Sequence, residues 1–444
     1  MNRNLQIFLN KYARLHRTSM MVNDQREEYQ DSPQTFTAMS GMFRPRIRNF
    51  ILLILSFFLI SLVVLLLFRS HEEKIDTIMD EEIPSSSMKQ KAQTLAVDKH
   101  DVKLALESYF KSINPHDDYP DDVNSVKPHH IRVIGAMGDS LTIGSRAQNY
   151  FEKLSDRYPG NSYFTGMDEE IDGHLTIYNI FRVIAEETGN KIFGGSTGVG
   201  YGENTGLNVA ISGMKSDDIP RQANELVKRI RSNKDINIER DWKLVSLWIG
   251  TNDVGNLGYR EETPISVKQY KADIEESLRY LKENLPRTIV SVIGMFPAQL
   301  LQEAQSILKT GKRAKSEENQ KKLDALSDGY RNVSYELQNE GKFNDKNFTV
   351  VVQPFATEYA SAYVDKLGNY NSSFYALDLF HLSKLGHAIL AKHYWQNLFE
   401  PIGEKTKRAQ LGDLTPEIFS LDENNCYIKT IGNSKKHIEK HAFL

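Results

Sequence analysis

Short apolar runs recur along the middle of the chain and alternate with stretches whose apolar positions repeat every three or four residues. The runs are residues 131–136, 207–211, 244–249, 288–293 and 348–352. Their apolar residues are nearly continuous, which suits strands buried on both faces of a parallel sheet. Between the third and fourth runs, Val267, Tyr270, Ile274, Leu278, Leu281 and Leu285 fall at steps of three and four. That spacing predicts an amphipathic helix, with Ser266 as its N-cap and Pro286 as its stop. Alternating strands and helices predict an α/β architecture, a five-stranded parallel sheet with helices on both faces. Such sheets bind ligands beyond the carboxyl ends of their strands.

One run is longer. Residues 50–68, FILLILSFFLISLVVLLLF, are nineteen residues without a charge, Gly or Pro. As a helix rising ~1.5 Å per residue they cover roughly 28 Å, close to the hydrocarbon thickness of a bilayer. A buried core helix would repeat polar residues at helical spacing, and this run does not, so a transmembrane helix is predicted. Arg44, Arg46 and Arg48 precede it, whereas Arg69 and Lys74 follow it among Glu72, Glu73, Asp76 and Asp80. The positive-inside rule then puts the N-terminus in the cytoplasm and the rest of the chain in a lumen or outside the cell. No convincing small-residue cleavage site follows, so the run reads as a retained single-pass signal anchor.

Polarity divides the remainder. Residues 1–49 read as a disordered cytoplasmic tail and 69–102 as a charged stem with a Pro-Ser-Ser-Ser break. Residues 103–407 read as one globular domain, and 408–444 as a weakly patterned C-terminal tail. The sequons at Asn332, Asn347 and Asn371 fall on the predicted outer side and are candidate glycosylation sites. The single cysteine, Cys426, cannot form an internal disulfide, and is either a free thiol or a bridge to a second chain. A hydrophobic content of 40% is enough for one large core, and a net charge of -3 offers no basic field for nucleic acid.

The candidate chemistry sits in four segments: Gly138-Asp139-Ser140-Leu141, Gly213, Gly250-Thr251-Asn252-Asp253 and Asp378-Leu379-Phe380-His381. Ser140 lies at a strand-to-helix turn, where a hydroxyl can stand ready as a nucleophile once a base takes its proton. His381 is the candidate base, and Asp378, three residues earlier, can hold its tautomer. Ester hydrolysis passes through a tetrahedral oxyanion that needs donors already aimed at it. The Ser140 N–H, the Gly213 N–H and the Asn252 side-chain amide supply three, and losing one such donor typically costs ~3 kcal/mol of barrier. Each segment alone also fits an ordinary turn. Their succession along the chain, the first three at strand ends, points to one hydrolytic site.

Other motifs are less informative. Asp139 and Asp253 are expected to be hydrogen-bonding turn residues. The glycine-rich run from Gly194 to Gly202 lacks the following Gly-Lys-Ser/Thr of a phosphate loop, and a mobile loop beside the site is expected instead. His129, His130, His437 and His441 have no companion pattern for zinc, so neither a metal nor a cofactor is expected. His387 is expected to be a structural neighbour of the base.

On these residues the chain resembles the GDSL-type SGNH hydrolases, and it is similar to the membrane-associated phospholipase B family over roughly residues 130–407. The resemblance rests on Gly138-Asp-Ser-Leu-Thr142, Gly195-Ser-Thr-Gly198, the run from Trp242 to Asp253, Phe348-Thr-Val-Val-Val-Gln-Pro-Phe355, Asp378-Leu-Phe-His-Leu-Ser383 and Leu398-Phe-Glu-Pro-Ile-Gly403. It implies the flavodoxin-like three-layer SGNH fold and metal-free hydrolysis of phospholipid and lysophospholipid acyl esters through an acyl-serine. It also implies Ser140, Gly213 and Asn252 as nucleophile and oxyanion donors, with Asp378 and His381 as acid and base. The chain departs from the family in lacking cysteines near the Asn-Asp and Asp-x-x-His motifs, where Val254, Gly255 and Leu379 stand. The expected function is a membrane-anchored phospholipase B-like hydrolase with a lipid substrate and no nucleic-acid partner. The alternatives are an esterase for carbohydrate O-acetyl or other small esters, and an idle ectodomain used for binding.

Overall fold

The computed structural model describes residues 95–114, 119–147, 157–254, 263–298, 317–358, 372–376 and 378–434. One parallel sheet runs through it in the order β1 (Ile131–Gly138), β2 (Trp242–Trp248), β3 (Thr288–Ile293) and β4 (Phe348–Gln353). Every residue of β2, β3 and β4 is buried, which is why the apolar runs do not alternate with polar residues. The pleat still sorts side chains between two cores. Leu244 and Trp248 join Ile134, Ala136, Ile289 and Val351 on one face. Val245 and Leu247 join Val133, Met137, Val290 and Val350 on the other.

The helices are α1 (Lys99–Ala105), α2 (Glu107–Ser112), α3 (Ser140–Ile143), α4 (Ile177–Glu187), α5 (Ile219–Ser232), α6 (Val267–Asn284), α7 (Glu317–Asn339) and α8 (Lys384–Phe399). The first core takes most of its helical residues from α4 and α8, with Val102 of α1, Tyr109 of α2 and Leu141 of α3, and the second takes its from α5, α6 and α7. The result is three layers, helix–sheet–helix. Helix α6 starts where its sequence says it should: Ser266 Oγ accepts the Gln269 N–H at 3.1 Å. Its periodic residues Tyr270, Ile274, Leu278 and Leu281 are buried.

Among the described residues the sheet has four strands rather than the expected five. Residues 207–211 pair with β1 through one isolated parallel bridge, Asn208 to Ala136, and one further bond, Ile211 N–H to Gly138 O at 3.2 Å. Ladder-like bonds flank it: Ala136 N–H donates to Leu207 O at 3.0 Å and Val209 N–H to Ala136 O at 2.9 Å. Two features cut the strand short. Gly206 enters it at φ +55°, and the Gly138 N–H that the next rung of the ladder needs donates to Gln222 Oε1 at 2.8 Å instead of to the segment.

The packed unit also extends beyond both boundaries read from the sequence. Ahead of residue 103, Val97 N–H donates to Ile171 O and Leu175 N–H to Leu95 O. Past residue 407, Ala409 N–H donates to Phe355 O and Lys429 N–H to Leu398 O, both at 2.8 Å, while Leu411, Ile418, Leu421, Cys426 and Ile428 are buried. Single apolar residues on irregular backbone have no period to detect, yet each fills a gap over the first core. The expected transmembrane stretch, residues 50–68, lies outside the described residues. Among the described residues no helix is long and apolar enough to cross a membrane.

Candidate functional site

Strand β1 delivers Ser140. The strand ends at Gly138 with φ +153°, where a Cβ would lie 2.2 Å from Trp248 O and 2.4 Å from Thr142 Oγ1, so no side chain fits. Gln222 on α5 clamps the same residue, accepting the Gly138 N–H at 2.8 Å and donating to Gly138 O at 2.9 Å. Asp139 then caps α3, its Oδ1 accepting the Leu141 N–H at 2.9 Å. Ser140 opens that one-turn helix and is buried. Burial pushes the Asp139 carboxyl up to about 7 and that of Asp253 up to about 6.

The other three segments are tied to this turn. Ser145 Oγ, just after α3, lies 2.5 Å from Ser212 Oγ, the residue before Gly213. Gly213 itself is exposed at φ +81°, with open space where a Cβ would be. Met214, next in the chain, accepts from the Asn252 amide at 2.9 Å, and the same amide nitrogen lies 3.4 Å from Asp139 Oδ2. Asp253 Oδ1 accepts the Ser216 N–H at 2.9 Å. The last tie comes from Arg146, whose Nη1 donates to Asp378 Oδ2 at 2.9 Å.

The Asp378 turn is built to hold a histidine. Leu379 takes φ +56°, which curls the backbone so that Asp378 Oδ1 accepts both the Phe380 N–H at 3.1 Å and the His381 N–H at 3.0 Å. Asp378 Oδ2 is left for His381 Nδ1, 2.5 Å away. Burial alone would raise this carboxyl, but the His381 ring, its hydrogen bonds and Arg146 outweigh burial and hold it well below the usual carboxylate range. An ionised Asp378 fixes the proton of His381 on Nδ1 and leaves Nε2 as the basic nitrogen.

The remaining sequence candidates are placed as follows. His387 is buried, stacks on Tyr163 with 6.1 Å between ring centroids, and accepts the Tyr163 N–H at Nδ1. Burial lowers its pKa to about 3, so it stays neutral and serves the core. His129 Nδ1 lies 2.6 Å from the Tyr109 hydroxyl, and His437 and His441 lie outside the described residues. Asn332 on α7 and Asn347 ahead of β4 are exposed, and Asn371 lies outside the described residues. The glycine-rich loop does sit beside Gly213, because the Tyr201 hydroxyl accepts the Ser212 N–H at 2.9 Å. Val199 and Tyr201 on that loop are 52% and 45% exposed, and the Arg157 guanidinium lies 4.3 Å over the Tyr201 ring.

Sequence reasoning missed Arg146, Gln222 and the Ser145–Ser212 contact. Their partners lie far off in the chain, and none belongs to a motif.

The family model for GDSL-like Lipase/Acylhydrolase matches residues 134–394. The chain is 31% identical over 332 residues to the membrane-associated phospholipase B1 of Homo sapiens, covering 71% of this chain and 22% of that protein. Against the membrane-associated phospholipase B1 of Rattus norvegicus it is 31% identical over 366 residues, covering 76% and 24%. The chain thus spans about a quarter or less of the length of these curated relatives. Among solved structures, Axe2, an acetylxylan esterase from Geobacillus stearothermophilus, aligns over 62% of this chain and 95% of its own, at 16% identity and a TM-score of 0.33.

Proposed function

Because the chain belongs to the GDSL-like lipase/acylhydrolase family, we propose that it is a serine esterase that releases fatty acids from phospholipids and lysophospholipids. The observation that carries this reading is the Asp378–His381 pair, held at 2.5 Å and strapped to the Ser140 turn through Arg146. In this mechanism His381 Nε2 takes the Ser140 proton as Oγ bonds to the acyl carbonyl carbon. The resulting oxyanion is held by the Ser140 N–H, the Gly213 N–H and the Asn252 amide. Asn252 lends the hydrogen it now points at Asp139 over a long 3.4 Å contact, which is a weak bond to give up. The imidazolium then protonates the departing lysolipid or glycerophospho-alcohol oxygen. Water, deprotonated by the same histidine, frees the fatty acid from Ser140.

The lipid preference has two supports. The relatives matched are phospholipases B1 by name, and Tyr201 exposes apolar surface beside Gly213, on the same loop as the exposed Val199 and with the Arg157 cation stacked on its ring for an anionic headgroup. We assign residues 50–68 as the single-pass anchor, with the N-terminus cytoplasmic and the hydrolase domain lumenal or extracellular. Asn332, Asn347 and Asn371 are the glycan acceptors on that side. The test is hydrolysis by the full chain in detergent, with Ser140→Ala as control, of phosphatidylcholine, lysophosphatidylcholine and acetylated sugars. Cleavage of the sugars alone ends the phospholipase reading. Equal fluorophosphonate labelling of wild type and Ser140→Ala ends the serine-esterase reading.

A further inference from the structure

We propose that Arg146 is a positioning residue of the hydrolytic site: it clamps Asp378 to the Ser140 turn and sets how strongly that carboxylate can favour the protonated form of His381. This rests on the Ser140–His381–Asp378 reading above. The Asp378 carboxylate accepts four hydrogen bonds. Three come from its own turn, namely the Phe380 N–H, the His381 N–H and the His381 ring. The fourth comes from Arg146, across 232 positions of sequence and six residues after the nucleophile. It is the bond that ties base and nucleophile segments to each other.

The backbone around Arg146 is arranged for this task. Arg146 sits at φ +59°, a left-handed conformation unfavourable for a residue with a Cβ. Neighbouring bonds hold it there: Ser145 N–H to Ser140 O at 2.9 Å, Ala147 N–H to Gly144 O at 3.2 Å, and the Asn161 amide to Ala147 O at 3.0 Å. Strain kept in place by its surroundings is a mark of function where the strained residue reaches the chemistry. Here it does, because the guanidinium is mostly buried against a buried carboxylate.

The consequence follows from sharing one oxygen. Asp378 Oδ2 takes both the His381 Nδ1 and the Arg146 Nη1 contacts. A fixed cation on that oxygen diminishes the attraction the carboxylate offers an imidazolium. Among the described residues, Arg146 from the turn after α3 acts on Asp378, and His387 from α8, which burial keeps neutral, lies close enough to His381 to interact with it. Arg146 is therefore the charge that tunes the pair. Removing it frees Asp378 to stabilise protonated His381 more strongly, and the enzyme loses its base at a higher pH than before.

The experiment is kcat/KM against pH, from 5 to 9, on a short soluble ester with full-length wild type, Arg146→Met and Arg146→Lys. Arg146→Met is expected to lose about tenfold to a hundredfold in rate from misplacement, with its acid limb displaced upward by about half a unit to one unit. Arg146→Lys keeps the charge and is expected to keep the limb near the wild-type position while recovering part of the rate. A purely structural role would lower the rate equally at every pH. An Arg146→Met profile that superimposes on wild type after scaling overturns the proposal, as does an Arg146→Lys limb displaced as far as that of Arg146→Met. Arg146→Gln gives the same readout if the methionine variant does not fold. Ser140→Ala separates the two readings: if it stays active the triad itself fails, and if it is dead while the limbs coincide only the role of Arg146 fails.

Discussion

Replacing Asp378 by Asn tests the site at its centre, because the hydrogen-bond pattern dictates which way the amide must turn. Two backbone N–H groups, from Phe380 and His381, point at Oδ1. The Asn carbonyl must take that position, since an NH2 there would face two donors. The NH2 then falls where Oδ2 was, against the His381 Nδ1 and Arg146 Nη1. Arg146 can only donate, so it loses its partner. His381 can accept the amide hydrogen only by moving its own proton from Nδ1 to Nε2, which removes the lone pair that should take the Ser140 proton. A wrong tautomer plus the loss of charge stabilisation for the imidazolium reduces kcat by about 10³–10⁴, or about 4–5.5 kcal/mol of barrier. The assay is the steady-state hydrolysis of p-nitrophenyl butyrate at pH 8, with the rate of fluorophosphonate labelling as a second measure and thermal unfolding as a check on folding. A folded Asp378→Asn enzyme retaining more than a tenth of wild-type kcat would refute the geometry argued here.

If its amide holds the oxyanion as proposed, Asn252→Ala should lower kcat about a hundredfold with little change in KM; unchanged kcat removes it from that role. Gly138→Ala forces a Cβ to 2.2 Å from Trp248 O and should cost about 2–4 kcal/mol in urea unfolding, whereas wild-type stability would show that the turn can open. Burial lifts the folded Asp139 carboxyl to about 7, above the ~3.9 of an unfolded chain, so the folded state binds that proton more tightly. Its stabilising contribution is complete below the unfolded value and drains away as pH climbs through the folded one. Asp139→Asn should therefore gain in unfolding temperature over wild type between pH 4 and pH 8, and a difference that stays flat with pH argues against a buried titrating group. Val199→Ser with Tyr201→Ser should slow cleavage of phosphatidylcholine vesicles while leaving the soluble ester rate within about twofold; equal loss on both substrates would assign the loop to the chemistry instead.

The readable part of the site is the local part. Asp378 and His381 are three residues apart, and one turn of chain joins them, so their spacing announced the pair before any coordinates. Ser140, Gly213 and Asn252 stood out as candidates because each follows an apolar run, and an α/β sheet presents its ligand-binding edge there. Helix α6 and the four strands were legible for a related reason, since burial imposes a period on the residues that form them. The expected fifth strand fails on a detail that periodicity ignores: the Gln222 side chain, from a helix, takes the Gly138 N–H that the ladder needs.

What the chain determined alone is thus whatever arises between near neighbours: periodic helices and strands, the Asp378–His381 turn, and the glycine that Gly138 has to be. Tertiary structure decided the rest. Only folding sets Arg146 on Asp378, Ser145 against Ser212, and Asn252 between Met214 and Asp139. It also seats the irregular stretch from Ala409 to Ile428 over the first core. These contacts span tens to hundreds of residues, and their geometry depends on how the layers pack, so no pattern along the sequence encodes them.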